Sequence, residues 1–167
     1  MDNSISTGNT INLARLFDNY RPTAIAELKG SAKYPEICGI VYFYQTTLGV
    51  VITTEVFGLP FERGLCKENV FAFHIHDGKS CAGNALDPFA NAGTHYNPNG
   101  CKHPQHAGDL PPLFGNDGFA WSSVLLQRFS VNEVLGNAVI IHRMPDDFTT
   151  QPAGNSGEKI ACGIIHK

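Results

Sequence analysis

Short alternating and β-branched runs, cut by glycine and proline, constrain this chain more than any other feature. Ala24, Ala26 and Leu28 alternate with Ile25, Glu27 and Lys29 as far as Gly30 and Ser31, the period of a strand with one face turned to a core. Segments 38–45, 50–57, 70–76, 119–129, 136–142 and 160–165 are rich in Val, Ile, Thr and aromatic residues, which fit a pleated, half-buried surface. Thr46, Thr47, Leu48 and Gly49 read as a hairpin turn. About eight short strands without a βαβ rhythm predict an all-β antiparallel sandwich or barrel.

The remaining features bound the class of protein. The length, 167 residues, suits one domain. Hydrophobic residues at 43% with charged residues at only 16% exclude a disordered chain, which needs the reverse balance. No apolar run reaches the roughly 18 residues a membrane helix requires. A net charge of −3 without a basic cluster leaves no footprint for nucleic acid. Residues 1–20 start polar and then carry Ile11, Leu13, Leu16, Phe17 and Tyr20 at weakly helical spacing, so they are expected to form an arm before a domain spanning 21–167. They lack a basic stretch leading into an apolar one, so a cytoplasmic protein is expected as written, with export open if the chain was trimmed.

Chemistry concentrates in the histidines. His74 and His76 are two apart on a predicted strand, so both imidazoles face one side and Ile75 the other. The stretch 77–118 is rich in glycine and proline and reads as one long loop, of the kind that is functional or disordered. It holds His95, His103, His106 and Asp109, a spacing that suits a tetrahedral cation such as zinc. His142 ends a strand, where alone it would be a half-buried structural histidine. His166, beside the C-terminus, reads as a surface residue. Two four-coordinate sites need eight ligand places, and six histidines plus Asp109 make seven groups. One imidazole using both ring nitrogens would complete the count.

Residues 71–77 (FAFHIHD), 93–98 (GTHYNP), 106–110 (HAGDL), 136–142 with Asp146 and Asp147 following, and 154–163 (GNSGEKIACG) follow one another along the chain. In these stretches the chain resembles the copper–zinc superoxide dismutase family. It implies a flattened eight-stranded Greek-key barrel of immunoglobulin-like sandwich type with two long functional loops. It implies copper on His74, His76, His95 and His142, and zinc on His95, His103, His106 and Asp109, with His95 bridging as an imidazolate. Asp146 matches the carboxylate that hydrogen-bonds one histidine of each set. Cys81 and Cys162 match the family's disulfide pair.

The activity implied is disproportionation of superoxide to O2 and H2O2 by a redox-cycling copper joined to a structural zinc. His95 and Lys159 are its catalytic candidates, the first as proton donor and the second as anion guide. Lys159 stands where the family has arginine, which keeps the charge but loses the planar fork. The implied partner is superoxide alone, with no nucleic acid or membrane, and a homodimer is allowed. The alternative is a copper-binding or copper-delivery module on the same fold without dismutase activity. Cys38 is expected to be a small buried residue; Cys66 and Cys101 read as free thiols, with a second bridge between them the other option.

Overall fold

The alternation of 24–28 turns into a strand whose even-numbered residues are buried. In the computed structural model, which describes residues 21–64, 67 and 69–167, β1 (Ala24–Gly30) sends Ala24, Ala26 and Leu28 into the core. It is followed by β2 (Cys38–Thr46), β3 (Gly49–Phe57), β4 (Val70–His76), β5 (Asp109–Phe114), β6 (Ala120–Leu126), a four-residue helix α1 (Val131–Val134), β7 (Ala138–His142) and β8 (Lys159–Ile164). All eight strands join one antiparallel sheet in the order β5-β4-β7-β8-β1-β2-β3-β6. Its two edges, β5 and β6, approach within 8 Å between Cα atoms, so the sheet is a nearly closed barrel. Residues 1–20 and Cys66 lie outside the described residues, and with them the expected arm and the option of a second bridge.

Inside, Val41, Phe43, Ile52, Val56, Phe71, Phe73, Ile75, Val139, Ile141 and Ile160 pack as a single apolar cluster. The strands that carry histidines are buried on both faces. In β4, Phe71, Phe73 and Ile75 point to that cluster, while Ala72, His74 and His76 occupy the opposite face and are equally buried. What covers the outer face is the segment after β4. Phe89 and Ala92 pack with Ala138, Ile140 and Cys162 in a second, smaller apolar cluster, and the Cys81–Cys162 disulfide closes it. A loop that would otherwise be solvated is thereby fixed on the barrel wall.

Two expectations need correction. The stretch 77–118 is not one loop, because β5 (Asp109–Phe114) lies inside it. Pro111 and Pro112 made the segment read as broken, yet β5 is a sheet edge, where a residue without an N–H leaves no ladder bond unmade. Its pairing with β4 shifts register between Phe71 and Phe73. Cys38 is exposed rather than buried. Val41 and Phe43 point inward, so strand alternation turns position 38 outward.

Candidate metal centre

Backbone pairing assembles the site before any side chain is considered. β4 lies between β5 and β7, with His74 opposite Asp109 on one side and Ile140 on the other. Just past the end of β4 the loop runs back along it. His95 forms an antiparallel bridge with His76, Tyr96 N–H donates to Ile75 O, Ile75 N–H to Gly108 O, and Gly108 N–H to Tyr96 O. Position 108 must be glycine, since a Cβ there would stand 2.3 Å from the Ile75 carbonyl oxygen. Arg128, just after β6, donates from one Nη1 to the carbonyls of His106 (3.1 Å) and Asp109 (3.0 Å).

The result is two groups of four buried ligands that share His95. His74, His76, His95 and His142 form one, and His95, His103, His106 and Asp109 the other. Within each, the candidate ligand atoms lie within 4.8 Å of one another. All six histidines predicted as ligands, together with Asp109, are therefore brought together. His166 is exposed and stands apart, as expected.

Hydrogen bonds behind the imidazoles decide which nitrogen is left to bind. A carbonyl oxygen only accepts, so His76 Nδ1 donates to Gly93 O (2.9 Å) and His142 Nδ1 to Gly157 O (3.3 Å). Their Nε2 atoms then face each other at 3.3 Å as two lone pairs. Asp146 receives His74 Nε2 on Oδ2 (2.9 Å) and His103 Nε2 on Oδ1 (2.8 Å). Burial alone would raise the Asp146 pKa, but His74, the Phe148 N–H and His103 hold it at about 2. It is a carboxylate at neutral pH and accepts both protons. That leaves His74 Nδ1 and His103 Nδ1 as lone pairs, and both are buried without a hydrogen-bond partner.

His95 differs from the rest. Its Nδ1 meets Asp109 Oδ1 at 2.7 Å and lies 3.4 Å from His106 Nδ1. Its Nε2 is buried with no hydrogen-bond partner and belongs to the His74 side. Asp109 also approaches His103 Nδ1 at 3.1 Å and His106 Nδ1 at 3.3 Å. Converging lone pairs with no proton to share repel unless a cation sits among them. The donor sets are three nitrogens with a carboxylate, which suits tetrahedral zinc, and four imidazoles, which suit copper. Burial lowers the pKa of His74, of His76 to about 2 and of His142 to about 3, so these rings keep their lone pairs at neutral pH.

Some supporting residues escaped the sequence reading. Gln151 grips the His103 peptide at both ends: its Oε1 accepts from His103 N–H (3.0 Å) and its Nε2 donates to His103 O (2.7 Å). Gly154 has a φ of +64, and a Cβ there would lie 2.0 Å from Asp146 Oδ1; only glycine leaves room for the bridge between His74 and His103. Lys159 pairs across the strands with His142, as its expected place beside the site requires. Its ammonium is not free, however: Nζ lies 2.6 Å from Asp87 Oδ2. No motif announced Gln151 or Asp87, because neither spacing nor residue type marks a polar side chain that works through one distant contact.

Comparison with known proteins agrees with this geometry. Residues 37–165 match the family model described as copper/zinc superoxide dismutase. The chain is 37% identical over 145 residues to superoxide dismutase [Cu-Zn] 2 of Aquifex aeolicus, covering 78% of this chain and 80% of that protein. It is 30% identical over 174 residues to superoxide dismutase [Cu-Zn] of Deinococcus radiodurans, covering 93% and 90%. In fold it is similar to the Cu/Zn superoxide dismutase from Brucella abortus, with a TM-score of 0.71 and 24% identity over 86% of this chain and 99% of that one. Relatives of this identity and coverage, a family model spanning most of the domain, and two buried ligand groups that share one imidazole lead to one conclusion: the chain belongs to the copper/zinc superoxide dismutase family.

Proposed function

We propose that this chain is an oxidoreductase that disproportionates superoxide to O2 and H2O2. The observation that carries the reading is His95, which presents Nδ1 to the Asp109 group and an unpartnered, buried Nε2 to the group of His74, His76 and His142. Copper belongs with His74, His76, His95 and His142, and zinc with His95, His103, His106 and Asp109. When bound, copper supplies a one-electron redox couple and zinc a fixed charge without redox change.

The residues do the rest. His95 Nε2 is the atom that takes up a proton in one half-reaction and returns it in the other, while Asp109 holds its Nδ1 side in place. Asp146 fixes the tautomer and ring orientation of His74 and His103 together, which couples the two groups. Lys159, paired with His142 across β7 and β8, is the cation that draws the anion in. A copper-delivery module needs neither a complete copper set nor Asp146; the full group of His74, His76, His95 and His142, with Asp146 behind it, favours the dismutase.

Reconstitution with both metals, elemental analysis and a superoxide-decay assay test the reading. One copper and one zinc per chain, with superoxide consumed, are expected. A total of one metal after full loading overturns it. His95→Ala is expected to uncouple the two sites. The net charge supports a protein without nucleic-acid partners, and sedimentation tests the homodimer. Among the described residues no helix is long and apolar enough to cross a membrane. Cytoplasmic residence is the reading that cell fractionation tests, and recovery with exported proteins would replace it.

A further inference from the structure

Lys159 and Asp87 stand 72 residues apart in sequence and 2.6 Å apart in space. Lys159 opens β8 opposite His142, so it sits beside the copper group by strand register. Its side chain is only 15% exposed, and Nζ makes a second, longer bond to Phe89 O at 3.3 Å. Asp87 is held firmly on the loop side. Its Oδ1 accepts from Phe89 N–H (3.0 Å), its own N–H donates to Asn84 Oδ1 (3.0 Å), and its carbonyl accepts from Asn84 and Ala90. The neighbouring acid, Glu158, is not available to Lys159: its carboxylate is occupied by Lys33 Nζ at 2.8 Å and the Tyr34 hydroxyl at 2.5 Å. The acid that neutralises the cation at this site is therefore Asp87.

We propose that Asp87 determines how strongly this enzyme attracts its anionic substrate, by holding the Lys159 ammonium in an ion pair that cancels most of its field over the copper group. The inference rests on the dismutase reading of the site. The physical argument is short. An anion approaching a protein of net charge −3 meets no long-range attraction, so a local cation must supply it. A carboxylate in contact with that cation turns a monopole into a dipole, whose field falls off faster with distance. The pair also anchors the loop between β4 and β5 to β8, so Asp87 trades attraction for order. Removing its charge while keeping its acceptor to Phe89 N–H releases the first without the second.

Asp87→Asn makes that change, with Asp87→Ser as a second variant that also keeps a side-chain acceptor. Copper- and zinc-loaded protein is examined by superoxide decay across ionic strength and, separately, by optical titration with azide. A unit charge about 10 Å from the path of an anion alters its local concentration roughly two- to fifteenfold between bulk and near-surface dielectric. Asp87→Asn is thus expected to raise the low-salt rate and azide affinity by about that factor and to steepen the salt dependence. Because the two fields add, the Lys159→Gln, Asp87→Asn double variant, which lacks the pair altogether, is expected to return close to wild-type azide affinity and salt slope. Unaltered azide affinity and salt slope in both Asp87 variants overturn the proposal, as does a double variant that keeps the full gain of Asp87→Asn. Loaded wild type that leaves superoxide untouched refutes the dismutase reading instead, while the azide titration still decides the role of Asp87.

Discussion

The two ligand groups share His95 but are held in different ways. His74, His76 and His142 stand on β4 and β7, adjacent strands of the sheet, with Ile75 and Ile141 anchored in the core behind them. His103 and His106 lie in the loop that leads into β5, and Asp109 opens that strand opposite His74; the shape of the loop depends on contacts reaching in from elsewhere. Asp146 and Gln151 hold His103, Arg128 holds the His106 and Asp109 carbonyls, and the Cys81–Cys162 bridge ties the preceding loop to β8. Strand-borne ligands are preorganised by the ladder that makes the fold; loop-borne ligands are preorganised one tether at a time. Damage to a tether should therefore fall mainly on the group around Asp109.

The largest test removes the covalent tether. Cys81 and Cys162 are separated by 81 residues, and the chain-entropy account gives a bridge over such a loop roughly 4 to 5 kcal/mol. The Cys81→Ser, Cys162→Ser double variant is expected to lose stability of that order in denaturant melts, with zinc held more weakly than copper. Equal weakening of both metals would remove the distinction between the groups.

Acid reaches the strand-borne group next. Burial holds the folded His76 and His142 at about 2 and about 3, against about 6.5 in an unfolded chain. Below that unfolded value the unfolded state takes up protons that the folded state refuses. In the metal-free protein this contribution is complete above pH 6.5 and declines steadily as the pH falls toward 3. Between pH 6.5 and 5.5 the pair amounts to about 2 kcal/mol. Asp146, also held low at about 2, adds its own loss only in stronger acid, below the ordinary aspartate value. Denaturant melts of metal-free protein at pH 7.5, 6.5 and 5.5 check the slope; a flat profile refutes burial as the device that keeps these rings neutral.

Single hydrogen-bond tethers give the smaller effects. Asp146→Ala leaves His74 Nε2 and His103 Nε2 without an acceptor and is expected to weaken metal binding about 10- to 100-fold. Zinc should suffer more, because His103 has no strand beneath it and His74 does. Gln151→Ala should cost several-fold in zinc affinity, the usual scale of a net hydrogen bond or two, and leave copper affinity unchanged. Gln151→Glu keeps the size and the acceptor for His103 N–H but sets a carboxylate against His103 O, so it should behave like the alanine variant. Chelator competition for each metal measures both, and rescue by glutamate would show that the bond from Gln151 Nε2 to His103 O is dispensable.

Read along the chain, the barrel was the more legible part. Alternation at 24–28 and the β-branched runs that became β2, β3, β4 and β7 are local signals, since a strand needs only its own side chains to declare which face is buried. β5 was lost because Pro111 and Pro112 break that local rule, and only its place at the sheet edge makes them harmless. Cys38 was misread because composition alone does not assign a face.

The ligand types were likewise determined by the sequence: two histidines on one strand face, and histidines with an aspartate at close spacing. Which nitrogen of each ring is free was not. That was decided by the Gly93 and Gly157 carbonyls and by Asp146, which lies 72 residues from His74. The pairing of the cation beside the site was decided in the same way, by an aspartate equally distant from Lys159. The reason is physical. Periodicity and spacing record what a residue does with its near neighbours, whereas a proton's position and a cation's field depend on whichever polar atom the fold delivers within about 3 Å, from anywhere in the chain.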